Sequence, residues 1–291
     1  MKKNIFCLIV CLNLINAYSQ TKNAYLIFSN KGENVGYETI VKNSVEADVI
    51  FFGELHDNPI AHWLQFELTS DLYEIHGQNL VLGAEMFETD NQLILSEYVS
   101  GVINQKRFED EAKLWPNYKT DYKPLVEFAA KNKLLFIATN VPRRYASMVS
   151  SGGFEALGNI SSEAKILIAP LPIEYDPELP GYKSMLKMDG MASKGNANIQ
   201  NLPKAQALKD ATMAWSISKN IKADGCFLHF NGAYHSNNHE GIIWYLKRLN
   251  PDLKIVTIST VVQKDISVPE KENEGLADFI IVIPETMSRT Y

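Results

Sequence analysis

The sequence predicts an α/β fold: a mostly parallel β-sheet flanked by helices, with a helical insertion and a long loop rich in Pro and Met. Three observations carry that prediction. Short apolar runs rich in Val, Ile and Phe recur along the chain and are continuous rather than alternating, the pattern of strands buried on both faces. Segments of helical periodicity separate many of them, and strand, helix, strand implies right-handed crossovers. Hydrophobic residues fill 46% of 291 positions, and no linker-like stretch divides the chain, so one large core is expected.

In chain order, the first segment stands outside the fold. Lys2 and Lys3 precede the apolar run Ile5–Leu12, too short to span a bilayer, and Ala17 and Ser19 sit where a signal peptidase needs small residues. Residues 1–19 therefore read as a secretory signal peptide and 20–291 as one domain in the periplasm or cell envelope. Cys11 follows Val10 inside the apolar run, which does not fit a lipid anchor. Removing the segment takes away two Lys and no acid and moves the formal net charge from −6 to −8. An acidic surface repels phosphate backbones, so nucleic acid is excluded as a partner class. Only Cys226 then remains, in an apolar run where a buried, inert thiol is expected.

The strand candidates are Tyr25–Phe28, Asp48–Phe52, Asn79–Ala84, Leu134–Thr139, Lys165–Ala169, Gly225–Phe230, Lys254–Ser259 and Phe279–Ile283. Between the second and third, Leu64, Leu68, Leu72 and Ile75 form one helical stripe, with Asn58 as N-cap, Pro59 at the first helical position and Gly77 as the stop. Glu88–Lys133 reads as a helical insertion. Pro170–Lys204 carries five Pro and reads as a binding loop or lid, and Lys204–Lys219 as a helix.

Four strand ends carry polar chemistry. Phe51-Phe52-Gly53-Glu54-Leu55-His56 ends a buried run, with Gly53 expected to permit a tight turn; Asp57 reads as a turn residue. Glu85 follows Leu82-Gly83-Ala84, where a carboxylate is costly unless it is paired. Asn140 and Arg143 follow the fourth run, and Asn231-Gly232-Ala233-Tyr234-His235 the sixth. Parallel strands end in one crevice, so Glu54, His56, Glu85 and His235 are expected to converge. Two His and two carboxylates suit a divalent first-row metal or a general acid/base pair. His62 is expected to be solvated or capping, His76 to be favoured as imidazolium by the helix dipole, and His229 to be a core histidine. In the long loop, Tyr182, Lys183, Met185 and Lys187 offer a phenol, ammonium groups and a thioether. That set fits a flat apolar ligand, but it also fits a helical turn whose Met residues pack on the core, or a lid with no ligand.

Gly53-Glu54-Leu55-His56-Asp57-Asn58-Pro59, Leu82–Phe87, Ile137–Arg143, Ala205–Ala214 and Asn231–His235 together resemble, in order, the motifs of the ChaN-like haem-binding family, related to the Tiki and erythromycin-esterase-like group. The resemblance covers roughly the whole mature chain. It implies a Rossmann-like fold and an exported protein of iron and haem acquisition, serving outer-membrane uptake components. It also implies haem held by a tyrosine at a homodimer interface. Tyr182 is the expected ligand, with Lys183 or Lys187 near a propionate; Tyr175 and Tyr234 stay open. The related group implies an alternative: a metal-dependent hydrolase (Mn, Co, Fe or Zn) using Glu54, His56, Glu85 and His235, supported by Asn140, Arg143 and Asp210.

Overall fold

The computed structural model describes residues 22–186 and 199–291; the expected signal peptide and Lys187 lie outside the described residues. The chain opens with an antiparallel pair, β1 (Leu26–Ser29) and β2 (Asn34–Val35), then α1 (Tyr37–Ser44). The central strand β3 (Val49–Glu54), buried along its whole length, leads into α2 (Pro59–His76). β4 (Leu80–Glu88) is followed by the helical insertion: α3 (Gln92–Val99), α4 (Gln105–Glu111), a wide turn at Tyr118–Tyr122 and α5 (Lys123–Asn132). Then come β5 (Leu135–Asn140), α6 (Arg143–Gly152), the short helices α7 (Ser162–Lys165) and α8 (Pro180–Met185), and α9 (Leu202–Ser218). β6 (Cys226–Gly232), α10 (Ile242–Leu249), β7 (Ile255–Gln263) and β8 (Phe279–Pro284) complete the order.

The sheet runs β2-β1-β8-β7-β3-β6-β4-β5, parallel from β8 to β5, with β1 antiparallel at one side. This is a Rossmann-like arrangement. Side chains alternate across each strand. Ile50 and Phe52 join Leu64, Leu68 and Leu72 of α2 in one core, and Val49 and Phe51 join Ala207, Ala211 and Ala214 of α9 in the other. From β3 the chain crosses through α2 to β4, skipping β6. From β6 it crosses through α10 to β7, skipping β3. The strand order therefore reverses between β3 and β6, the topological switch point where open α/β sheets bind ligands.

Seven of the eight predicted runs contain strands. Lys165–Ala169 does not: Ser161 caps the short helix α7, and the segment is tied down by side chains instead. Thr89 Oγ1 donates to the Leu167 carbonyl at 2.6 Å and the Ala169 N–H donates to Thr212 Oγ1 at 3.2 Å. Those bonds give its backbone partners without a ladder. Asn58 does cap α2, accepting from the N–H groups of Ile60 and Ala61. Ile75, placed on the apolar stripe by sequence, is half exposed.

Candidate functional site

β3, β4 and β6 deliver the site. Gly53 stands inside β3 rather than in a turn, and its requirement is close approach: a Cβ there would come within 2.9 Å of Ala233 Cα and of the Ile258 carbonyl oxygen. One residue later, Glu54 is fully buried and carries three partners. His56 Nδ1 donates to Oε1 at 2.8 Å and the Tyr122 hydroxyl to the same oxygen at 2.6 Å. Gln65 Nε2 donates to Oε2 at 2.5 Å. The His56 ring also meets Trp115 edge to face, with centroids 4.9 Å apart. Burial lowers the His56 pKa, but the carboxylates of Glu54 and Glu85 outweigh it and leave the imidazole above its ordinary value.

His62 is buried, contrary to the expectation of a solvated or capping role. Its Nδ1 meets Gln65 Oε1 at 3.0 Å and its Nε2 meets the His56 carbonyl at 3.1 Å. Asn117 Nδ2 donates to the same carbonyl at 2.8 Å. The loop carrying His56 is thus fixed from α2 and from the helical insertion. His76 also departs from expectation: burial lowers its pKa.

Glu85 follows the point where β4 loses regular register with β5, between Ala84 and Glu88. Its pairing with β6 ends at Ala84 and Phe230. Freed from both neighbours, the backbone turns the carboxylate onto the end of β6. Oε2 accepts from the Gly232 N–H at 2.8 Å, and Oε1 lies 3.1 Å from His235 Nε2. His235 Nδ1 donates to Asp210 Oδ1 at 2.5 Å, and Asp210 Oδ2 accepts from the Tyr182 hydroxyl at 2.7 Å. Both ring nitrogens therefore face carboxylates. Burial alone would lower the His235 pKa; Glu85 and Asp210 raise it to about 10. Burial would raise Glu85, yet His235 and His56 hold it well below the usual carboxylate range. Asp210 is left pushed up by burial, because one imidazolium cannot balance two buried carboxylates.

Gly232 joins the two arms. A Cβ on it would lie 2.9 Å from His56 Cε1 and Nε2 and 3.5 Å from Glu85 Oε2. His56 and Glu85 both line a cleft of about 1070 Å³, together with Asn140, Arg143 and Lys209. The predicted residues thus gather in one region. They do so as two hydrogen-bonded arms, Glu54–His56 and Glu85–His235–Asp210. Among the described residues no group of three or more His, Cys, Asp or Glu side chains is arranged to hold a metal ion.

The long-loop residues lie elsewhere than expected. Tyr182 is 3% exposed, its hydroxyl is used by Asp210, and burial pushes its pKa far up. An axial ligand must reach iron as a phenolate, so Tyr182 reads as a support of Asp210 rather than an accessible ligand. Lys183 is exposed and paired with Glu178 at 2.5 Å, and Met185 packs on the core. Tyr175 packs edge-on against Phe154 and tilted against Tyr182. Tyr234 is 41% exposed, with its hydroxyl against the Gly181 carbonyl and Ser184. His239 Nε2 lies 3.5 Å from Asp278 Oδ2. His229 is a core histidine: its Nδ1 meets Asn231, its Nε2 meets Thr139, and burial lowers its pKa to about 4. Cys226 is buried and its thiol is pushed up to about 12 by burial.

Sequence reasoning missed Gln65, Tyr122 and Gly232. Gln65 carried a signal, a polar residue beside the apolar stripe of α2. Tyr122, 68 residues from Glu54, carried none.

Fold and site together define an α/β protein with a Glu/His centre at the topological switch point of its sheet. The chain belongs to the family described as haem-binding uptake, Tiki superfamily, ChaN, whose model matches residues 40–246. Among solved structures it is similar to ChaN of Campylobacter jejuni, described with cofacial haem binding, at TM-score 0.68 and 18% identity over 89% of this chain and 96% of that one. Weaker likenesses include the type III effector HopBA1, at TM-score 0.46 and 15% identity over 87% and 94% of the two chains. Another is the erythromycin esterase EreC, at TM-score 0.46 and 12% identity over 88% and 82%. At these identities the first likeness shows the fold. The sequence matches no curated protein.

Proposed function

We propose that this protein binds haem through Tyr234, as an exported component of haem acquisition. Family membership supports the ligand, and one observation supports the residue. Of the three tyrosines that the sequence leaves open, Tyr234 alone presents an exposed ring, while Tyr182 is buried and Tyr175 is packed between aromatic rings. The Tyr234 hydroxyl donates to the Gly181 carbonyl, so ligation would exchange that hydrogen bond and its proton for ferric iron. Tyr234 borders α8, which supplies Lys183 for a propionate; its exposed pair with Glu178 is weak enough to exchange. Titration of the purified full chain with haem tests the reading. The expected result is a Soret band of tyrosine ligation that Tyr234→Phe weakens and Tyr182→Phe leaves in place. No haem uptake, or a band unchanged in Tyr234→Phe, refutes it.

The Lys2-Lys3 start, the apolar run Ile5–Leu12 and the small residues Ala17 and Ser19 support a place outside the cytoplasm. N-terminal sequencing of the mature protein should begin at Gln20, and size-exclusion chromatography with and without haem reads whether haem joins two copies.

A second reading, acid–base hydrolysis, is favoured by the His56 geometry. The Glu54 carboxylate orients the ring through Nδ1, and the imidazole lines the cleft beside Glu85. Turnover of ester and phosphoester panels, lost in both His56→Gln and Glu85→Gln, supports it. Metal analysis of the same preparation tests for a bound divalent ion.

A further inference from the structure

The cleft beside His56 and Glu85 holds features that haem ligation at Tyr234 does not use. Asn140, 8% exposed, ends β5, and its Oδ1 is buried with no hydrogen-bond partner among the described residues. Native proteins rarely leave such an atom unpaired, because desolvating it without a partner is unfavourable. The amide lines the cleft. Next to it begins α6, ten residues long, whose N-cap Pro142 provides no side-chain cap. Free N–H groups at a helix N-terminus favour an anion.

The cationic side chains of the cleft divide into two kinds. Arg144 and Lys113 are committed to Asp90, at 2.5 and 2.9 Å. Arg143, in the first turn of α6, and Lys209, half-buried on α9, make no ion pair among the described residues, and both line the cleft. Lys209 is close enough to help hold Glu85 ionised. A helix start without a side-chain cap, two cations outside any ion pair among the described residues and an unpartnered buried amide oxygen therefore share one cavity.

We propose that this cleft binds the carboxylate or phosphate group of a small organic anion, held between Arg143, Lys209 and the start of α6, with Asn140 Oδ1 accepting from a donor group beside it. The shared chemistry is the anion. Its source is either a separate small molecule or a propionate of haem, and the test distinguishes them. The inference stands apart from ligation by Tyr234, which a Soret titration reads on its own.

The probes are phenyl phosphate, benzoate and the uncharged isostere benzamide, measured by calorimetry and ligand-observed NMR on the full chain. The two anions should bind at least tenfold more tightly than benzamide, and added salt should weaken them. Lys209→Met and Arg143→Met should each weaken phenyl phosphate about tenfold, the scale of one charge-assisted hydrogen bond. Lys209→Arg should restore most of the binding. Circular dichroism and thermal unfolding of each variant confirm folding. Phenyl phosphate bound equally well by haem-loaded protein assigns the cleft to a separate ligand. Its exclusion by haem assigns the anion to a propionate. Equal affinity for benzamide and phenyl phosphate, affinity unchanged in both Met variants, or no binding of either anion overturns the proposal.

Discussion

The backbone N–H of Gly232, the last residue of β6, donates to Glu85 Oε2 on β4 at 2.8 Å. That bond is the hinge of the site. It anchors one oxygen of Glu85 and leaves the other for His235, while the missing side chain of Gly232 makes room for the His56 ring. Gly232→Ala should therefore displace His56, since a Cβ would lie 2.9 Å from its ring atoms. Overpacking of this kind costs about 1–3 kcal/mol. Thermal unfolding should register that loss, and the His56 NMR titration should move toward that of an ordinary imidazole. An unmoved His56 titration would show that the ring has room to spare.

His235 holds two buried carboxylates. His235→Ala leaves Glu85 and Asp210 without their cation and should cost about 3–5 kcal/mol in urea unfolding, the range for breaking a buried ion pair. A loss under about 1 kcal/mol would mean that water replaces the imidazole freely.

The same group sets a pH dependence. Its folded pKa, about 10, lies above the unfolded value of about 6.5, so the protonated form is bound more tightly in the native state. Its stabilisation is complete below the unfolded pKa and is lost as pH rises through the folded one. Melting temperatures of wild type and His235→Gln should be furthest apart near pH 6 and converge toward pH 10. Glu85 contributes oppositely: its pKa is held down, so its stabilisation is present at neutral pH and lost on acidification. A constant gap from neutral to alkaline pH would contradict the assignment.

Tyr122 donates to Glu54 at 2.6 Å and competes with His56 for the same oxygen. Tyr122→Phe removes a donor from the carboxylate and should make it a stronger partner for the imidazolium. The His56 pKa, read by NMR, should rise further, with a stability loss of about 1–2 kcal/mol. A fall in that pKa would indicate that Tyr122 positions Glu54 rather than sharing it.

Asn58 caps α2 through two N–H groups, and α2 carries Gln65 to Glu54. Asn58→Ala should cost about 1 kcal/mol in urea unfolding, with Asn58→Ser recovering most of it.

Much of the site was legible because strand ends in a parallel sheet share one edge. Glu54, Glu85, Asn140 and His235 each follow a continuous apolar run, and topology alone brings such positions together. Lys165–Ala169 shows the limit. Its local pattern is that of a strand, but Ser161, Thr89 and Thr212 satisfy its backbone, and two of those three lie far away in sequence. Tyr182 shows another. Its Met and Lys neighbours suggest an accessible ligand, whereas its phenol is drawn inward by Asp210, 28 residues on.

By itself the sequence determined the layered fold, the cap of α2, the four polar strand ends and the likeness to one family, because periodicity and short motifs are local properties of the chain. Tertiary structure decided how those residues pair: Glu54 with His56, Glu85 and Asp210 with His235, Tyr182 turned inward and Tyr234 outward. Hydrogen bonds and ion pairs depend on distance and burial, and both are set by which strands become neighbours across the switch point.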